Sequence, residues 1–275
     1  MAEHAEQESI GKLSAYGSND LTYLWQGHLG NENFSLTEVP STLKISDEDQ
    51  KRIDESWNAA LLKNPASFDG TLWRYEGYTQ KEGGVHFNVS PVAYSRHNVM
   101  RHAKGEPVSY YPNPFSINAI QHTTDGYLLI GVKGEKSDQV GLGMMGAGFS
   151  KRSLDKNGNN NPPENLMRTV ERECMEETKY LVASPFDVEE FRALGVIFGS
   201  NHDTTVGVYV PLKAARNEVG IGNREHSDLW FLPDTKTALT RFLKDGGMHG
   251  APAVDHALGC IELYLKERYE TGNIK

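Results

Sequence analysis

The sequence predicts an α/β protein: a mixed sheet between helices, preceded by a small α+β unit. Three observations predict it. Short apolar strands interleave with helix-length segments over residues 113–270, the pattern of a sheet covered by helices. Asp125-Gly126 separates two of those strands, a strong hairpin signal. Leu166, Val170 and Cys174 recur at i, i+4 and i+8, with Leu181 continuing the stripe, so residues 164–181 read as an amphipathic helix.

Residues 1–20 hold few large apolar groups and are expected to form a mobile leader. Residues 21–26 read as a first short strand. Ser46 and Asp49 resemble a capping box ahead of Ile53, Trp57, Ala60 and Leu61, giving a helix over 46–63 that Asn64-Pro65 ends. Phe68-Asp69-Gly70 is a turn, and residues 71–78 and 85–94 read as a strand pair joined through Gly83-Gly84. Residues 96–104 mix His, Arg and Lys and form a short helix or a loop. Pro107, Pro112 and Pro114 mark a linker, dividing a front α+β unit, 21–111, from a main domain, 112–275. In the main domain, strands are expected over 115–123, 127–133, 194–199, 206–212 and 228–232. Helices are expected over 235–243 and 252–269, the second with Val254, Leu258, Ile261 and Leu265 along one side.

Composition excludes several classes. At 275 residues the chain is long enough for one large core or two modest ones. With 38% hydrophobic residues it holds no apolar run able to span a bilayer, and its acidic start lacks the regions of a signal peptide. The two cysteines, Cys174 and Cys260, both fall in apolar helix patterns and are expected to be reduced core residues of a cytoplasmic protein. A net charge of −9 argues against a broad nucleic-acid surface. It leaves room for a phosphorylated small molecule, because bound cations invert the local charge.

The acidic helix carries the chemistry. Glu173, Glu176 and Glu177 stand at i, i+3 and i+4 and share the arc beside the apolar stripe. Like charges at that spacing repel by a few tenths of a kcal/mol per pair, roughly. A cation would compensate them, and hard oxygen ligands suit Mg²⁺ or Mn²⁺. Glu runs are more often solvated helix faces, and three Glu alone would favour that reading. Arg172, the apolar Cys174 and Glu164 eight residues before Arg172 change the balance. Together they resemble the signature of the Nudix hydrolases, G-x5-E-x7-R-E-U-x-E-E-x-G-U.

The resemblance implies a Nudix-type α/β/α sandwich around a mixed sheet, covering about residues 113–270. It implies Mg²⁺ or Mn²⁺ held by Glu173, Glu176 and Glu177, with Glu173 or Glu177 also orienting or deprotonating water. Arg172 and Glu164 are implied as supports of those carboxylates. Two departures stand out. Lys179 replaces the Gly expected after the paired Glu and must cap the helix differently. Gly158 fits the literal spacing of the leading Gly but lies in a polar turn, Asp155 to Pro163. We read Gly146-Ala147-Gly148 as the true corner, with Gly148 supplying a backbone carbonyl to the metal and residues 149–163 a lengthened loop. A later loop often adds an acidic ligand or base in this family; Glu225 in Arg224-Glu225-His226 is our candidate, Glu218 the runner-up, and His226 a hydrogen-bond partner.

The front segment has its own resemblance. Asn64-Pro65, Phe68-Asp69-Gly70 and Trp73-Arg74-Tyr75 look like a subgroup of eukaryotic Nudix proteins with an extra N-terminal domain that includes a UDP-glucose pyrophosphatase. The implied activity is cleavage of the pyrophosphate in a nucleoside diphosphate linked to another moiety, such as a UDP-sugar giving UMP and a sugar 1-phosphate. ADP-ribose and dinucleoside polyphosphates are the competing substrates, and a catalytically inactive nucleotide-binding module is the competing class. Tyr110, Tyr111, Phe149 and Trp73 are aromatics able to stack on a base, though packing is the commoner use. Lys151 and Arg152 are within chain reach of a phosphate.

Overall fold

The computed structural model describes residues 21–63, 69–81, 83–100, 111–134, 140–151, 165–199, 203–223 and 225–274. The expected leader lies outside them, as do Gly158, Glu164, Tyr110 and Arg152.

The front segment runs β1 (Thr22–Leu29), β2 (Phe34–Glu38), α1 (Asp47–Lys63), β3 (Thr71–Lys81), β4 (Gly84–Ala93) and α2 (Tyr94–Met100). Ser46 caps α1 as its sequence predicts: its Oγ accepts from Asp49 N at 3.1 Å and donates to the Asp49 carboxylate at 2.7 Å. The main part follows with β5 (Phe115–His122), β6 (Tyr127–Lys133), β7 (Leu142–Met144), β8 (Ala147–Phe149), α3 (Leu166–Glu177) and β9 (Thr178–Tyr180). It closes with β10 (Arg192–Phe198), β11 (Thr204–Pro211), β12 (Val219–Ile221), β13 (His226–Pro233), α4 (Lys236–Asp245) and α5 (Asp255–Tyr269), two short strands lying between these helices.

The main sheet has the order β1-β10-β11-β5-β6-β13, with β7 on β6 and β8 on β5. Only β11 and β5 run parallel, so the sheet is mixed. Period-two alternation splits its residues between two cores. One face, with Ile117, Ala119, Val206 and Val208, packs on Leu166, Val170 and Cys174 of α3. The other, with Ile120, Ile130 and Leu194, packs on α4 and α5 through Phe242, Cys260, Ile261 and Leu265. That is an α/β/α sandwich. Both cysteines are free and buried. Among the described residues no helix is long and apolar enough to cross a membrane.

Four details differ from the sequence expectation. The first strand does not belong to a separate front unit: β1 pairs antiparallel with β10 at the edge of the main sheet. Trp25 anchors it in the same core as α3, so a boundary at residue 112 does not separate every front element from the main sheet. Leu181 is not on the helical stripe; it is exposed, because α3 ends at Glu177. Lys179 caps nothing. Thr178 leaves the helix in extended conformation (φ −114°, ψ 128°), so no left-handed Gly is required, and Lys179 pairs with Gly220 in a small β9–β12 sheet. The last helix starts at Asp255, after the Ala251-Pro252 strand, rather than at 252.

The three-stranded front sheet, β2-β4-β3, is stitched onto the main sheet where β8 ends. Trp73 N donates to Ser150 O at 3.1 Å, Tyr75 N to Asn113 O at 2.9 Å, and Ser150 N to Phe115 O at 2.9 Å. Trp73, Tyr75, Phe87 and Val89 share the core that holds α3. Beneath them Arg74 and Glu76 form a buried ion pair, with Arg74 Nε donating to Tyr111 O at 3.2 Å.

His256, at the start of α5, gives the fold an acid-sensitive point. Its ring is buried against Gly199, where a Cβ would come within 2.2 Å of Nε2. Burial pushes its pKa down to about 4. Below pH ~6.5 the unfolded chain therefore binds a proton that the folded chain refuses, so stability falls as pH falls through that window. We expect the wild type to lose about 2 kcal/mol more than His256→Gln between pH 7.5 and 5. Urea unfolding at the two pH values measures the difference, and parallel losses in both proteins would reject it.

Candidate active site

The site forms where the main sheet forks. β5 and β6 pair only at His122 and Leu128, then separate. β7 and β8 fill the gap, β7 on β6 and β8 on β5. The turn between them, Met145 to Ala147, lodges in the fork: Gly146 O accepts from Ala119 N at 3.2 Å, and Met145 O accepts from the Gln121 side chain at 3.1 Å. Gly146 has φ 74°, which favours glycine, and a Cβ there would sit 2.7 Å from Cys174 Sγ.

Helix α3 lies across this corner. Asn165 caps it by accepting from Met167 N at 2.9 Å. Leu166, Met167, Val170 and Cys174 are buried, and that orientation aims Glu173 and Glu177, one turn apart, at the corner. Glu177 is 1% exposed. Its Oε2 accepts from Gly146 N at 2.6 Å, Ala147 N at 3.3 Å and His226 Nε2 at 3.1 Å. Glu173 lies against Gly148 so closely that a Cβ there would come within 2.2 Å of its Cδ. Arg172 Nη1 donates to Glu173 Oε1 at 2.6 Å. Glu176 points outward, half-exposed, 3.6 Å from the same guanidinium.

Electrostatics single out Glu173 and Glu225. Burial pushes Glu173 up to about 7; Arg172 and, more weakly, Lys151 pull it back. Glu225 is also raised, first by desolvation and then by the charge of Glu177, with Lys133 opposing. Glu225 therefore stands close enough to Glu177 to belong to the same site, and Lys133 close enough to act on Glu225.

Glu173, Glu177, Arg172, Gly148 and Glu225 converge on the corner, with Lys151 alongside. Glu176 shares the helix but faces away from the corner, since the i+3 position turns it to solvent. Glu164 and Arg152 lie outside the described residues. Glu218 is elsewhere: its carboxylate accepts from Ala215 N at 2.9 Å and closes a local turn. Trp73 and Tyr111 are buried in packing, and Phe149 lies edge-on to His97 at 5.2 Å. Asp69 accepts from Ser95 N at 2.7 Å and Ser95 Oγ at 2.8 Å, so the front-segment turn braces α2 rather than facing a ligand. His226, expected only as a hydrogen-bond partner, closes on Glu177; its adjacency to Glu225 is the sequence signal for it.

The donors fit a hard divalent cation in kind: buried carboxylate oxygens, two of them on one helical face, with burial opposing the charge of Glu173. Among the described residues no three His, Cys, Asp or Glu gather closely enough to enclose a metal by themselves.

Comparison with known proteins gives weak likenesses. No family model matches the chain, and no curated protein does. Among solved structures, the NUDIX domain of Shewanella oneidensis NrtR complexed with ADP ribose is similar at 18% identity and TM-score 0.38, over 60% of this chain and 94% of that one. Tm1382, described provisionally as a Nudix hydrolase, is similar at 13% identity and TM-score 0.35, over 78% of this chain and 96% of that one. At these scores neither likeness carries residue roles to this chain.

The corner itself can be tested. Gly148→Val drives a branched side chain into the Glu173 carboxylate and should destabilise the protein by about 1–3 kcal/mol. Gly158→Ala should stay within about 0.5 kcal/mol of wild type. Denaturation midpoints of both variants decide; a large loss confined to the Gly158 variant would restore the literal spacing of the motif.

Proposed function

We propose that this chain is a Nudix-type hydrolase that cleaves the pyrophosphate of a nucleoside diphosphate linked to another group, with Mg²⁺ or Mn²⁺ as cofactor. One observation carries the reading. The two carboxylates of the Arg172-Glu173-Cys174-Met175-Glu176-Glu177 register that face inward, Glu173 and Glu177, meet at the Gly146-Ala147-Gly148 corner. A solvated acidic helix would turn them to water. Instead the fold buries both, at a cost that a bound cation would offset.

Glu173, Glu177 and a corner carbonyl are the groups that would hold the metal; Glu176, turned to solvent beside Arg172, is not among them. When bound, a divalent ion polarises a phosphoryl oxygen and lowers the pKa of a coordinated water. The chain supplies the rest. Arg172 fixes Glu173 in one rotamer through its 2.6 Å hydrogen bond. The corner amides and His226 fix Glu177. Glu225, exposed beside Glu177 and raised in pKa, is the carboxyl we assign to take a proton from water. Lys151 and Lys133 flank the carboxylates and are available to the phosphates.

For the distal group we infer a nucleotide sugar such as UDP-glucose, giving UMP and a sugar 1-phosphate. The support is the resemblance of the front segment, the long stretch between Gly148 and Glu164, and a front sheet bonded to the strand that leaves the corner. ADP-ribose is the competitor, because the carboxylates are indifferent to the distal group. A catalytically inactive nucleotide-binding module is the other, favoured by the absence of a three-ligand cluster among the described residues. The retention of Glu173, Glu176 and Glu177 together favours hydrolysis.

Purified protein incubated with Mg²⁺ and a panel of nucleotide sugars, ADP-ribose and dinucleoside polyphosphates, with products separated by chromatography, tests all three. Hydrolysis is expected to stop on EDTA treatment and return with Mg²⁺. Glu177→Gln should lower kcat by at least about 100-fold at unchanged fold, since the amide oxygen can still accept the same three hydrogen bonds but carries no charge. Turnover unaffected by EDTA would rule out the mechanism. Rapid cleavage of ADP-ribose with no UMP from UDP-glucose would sink the nucleotide-sugar assignment alone.

A further inference from the structure

We propose that His226 is a positioning residue, whose Nε2–H holds one oxygen of Glu177 so that the other is presented to the ligand side. The inference rests on the reading of Glu177 as a metal-holding carboxylate.

The geometry is specific. His226 opens β13 opposite Lys133, and the register shift between His226 and Asp228 interrupts the regular pairing with β6 at this point. Its side chain is fully buried, and so is its partner: the pair is 0% and 2% exposed, with Nε2 at 3.1 Å from Glu177 Oε2. A carboxylate only accepts, so the proton of this contact sits on Nε2. The ring lies over Gly131, where a Cβ would come within 2.2 Å of Nδ1 and 2.7 Å of Met145 Sδ. A side chain larger than hydrogen at 131 would push the ring off Glu177.

The other ring nitrogen shows what the arrangement gives up. Among the described residues Nδ1 is buried with no hydrogen-bond partner. An apolar side chain would fill the same space without that cost, so packing alone does not call for an imidazole. The gain lies at Glu177. Three N–H donors, from Gly146, Ala147 and His226, converge on Oε2 and none of the three engages Oε1. The two backbone donors approach from the corner, while His226 comes from β13 across the fork. The carboxylate is thereby held from two sides, which fixes Oε2 and with it the direction of Oε1; Glu225 meets the same carboxylate. Support of this kind for a metal-holding side chain is worth roughly 10- to 100-fold in affinity or activity.

Two variants separate positioning from packing. His226→Phe keeps a ring of similar size but removes the N–H. His226→Gln removes the ring but keeps an amide N–H that reaches toward Oε2. Mn²⁺ binding is measured by the electron paramagnetic resonance signal of the free ion, at fixed pH, with circular dichroism confirming the fold. We expect the affinity order wild type, then His226→Gln, then His226→Phe, with the last about 10- to 100-fold weaker than wild type. In activity assays, kcat should follow the same order while KM for the nucleotide stays level. The reverse order, His226→Phe matching wild type and His226→Gln weaker, would show a packing role and overturn the proposal. Gly131→Ala displaces the ring without changing any site residue and should weaken Mn²⁺ binding in the same direction; unchanged binding there overturns the proposal even where His226→Phe does not fold. A wild-type protein that binds no Mn²⁺ would remove both the metal-holding reading and this inference, whereas wild-type binding with unaltered variants removes the inference alone.

Discussion

The structure around the site depends on one buried carboxylate. Glu177 ends a helix whose last turn lies over the fork of a sheet, and its Oε2 accepts from Gly146 N at 2.6 Å. Without those donors, burying a carboxylate would cost several kcal/mol, roughly. With them, the same carboxylate ties three parts of the chain together: the corner between β7 and β8, the end of α3 and the start of β13. Everything else at the site is placed relative to that tie. Glu173 lies one turn back, against Gly148. Arg172 steadies Glu173. Glu225 precedes the histidine that reaches Glu177.

The front sheet matters for the same reason. The corner is held on its inner side by Ala119 and Gln121 of β5, and its outgoing strand is held by Trp73 and Phe115 through Ser150. The front-sheet aromatics share a core with the apolar side of α3. A helix and a corner that meet within hydrogen-bonding distance are thus braced by a common set of side chains. Precision at the carboxylates comes from this sharing, and it explains why β1 and the front sheet are interleaved with the main sheet instead of hanging from it.

Much of the fold was legible because its signals are local. The Ser46–Asp49 cap, the Asp125-Gly126 hairpin and the Leu166, Val170, Cys174 stripe each depend on residues within a turn or two. The unread parts depend on distant partners. Nothing in residues 22–29 says that they pair with β10, some 170 residues later, and β2 is too short and polar to announce itself. Lys179 looked like a defective cap because a Gly is needed only where the chain turns left-handed; here it continues straight into β9. At the site, the spacing of Glu173, Glu176 and Glu177 specified a helical arc, but not which of them the corner would receive. That is decided by the angle at which α3 crosses the fork, and it leaves Glu176 outside. The part of His226 was hidden for the same reason. Its partner is 49 residues away, and Gly131, which makes room for it, reads in sequence as an ordinary strand residue.

The most direct measurement is where a cation binds. Crystals grown or soaked with Mn²⁺ allow its anomalous scattering to be mapped. We expect a peak between Glu173 and Glu177, within about 2.0–2.3 Å of a carboxylate oxygen from each and next to the Gly146–Gly148 backbone. A site left empty at saturating Mn²⁺, or a peak confined to other carboxylates with Glu177 still bound only to the corner amides and His226, would contradict it.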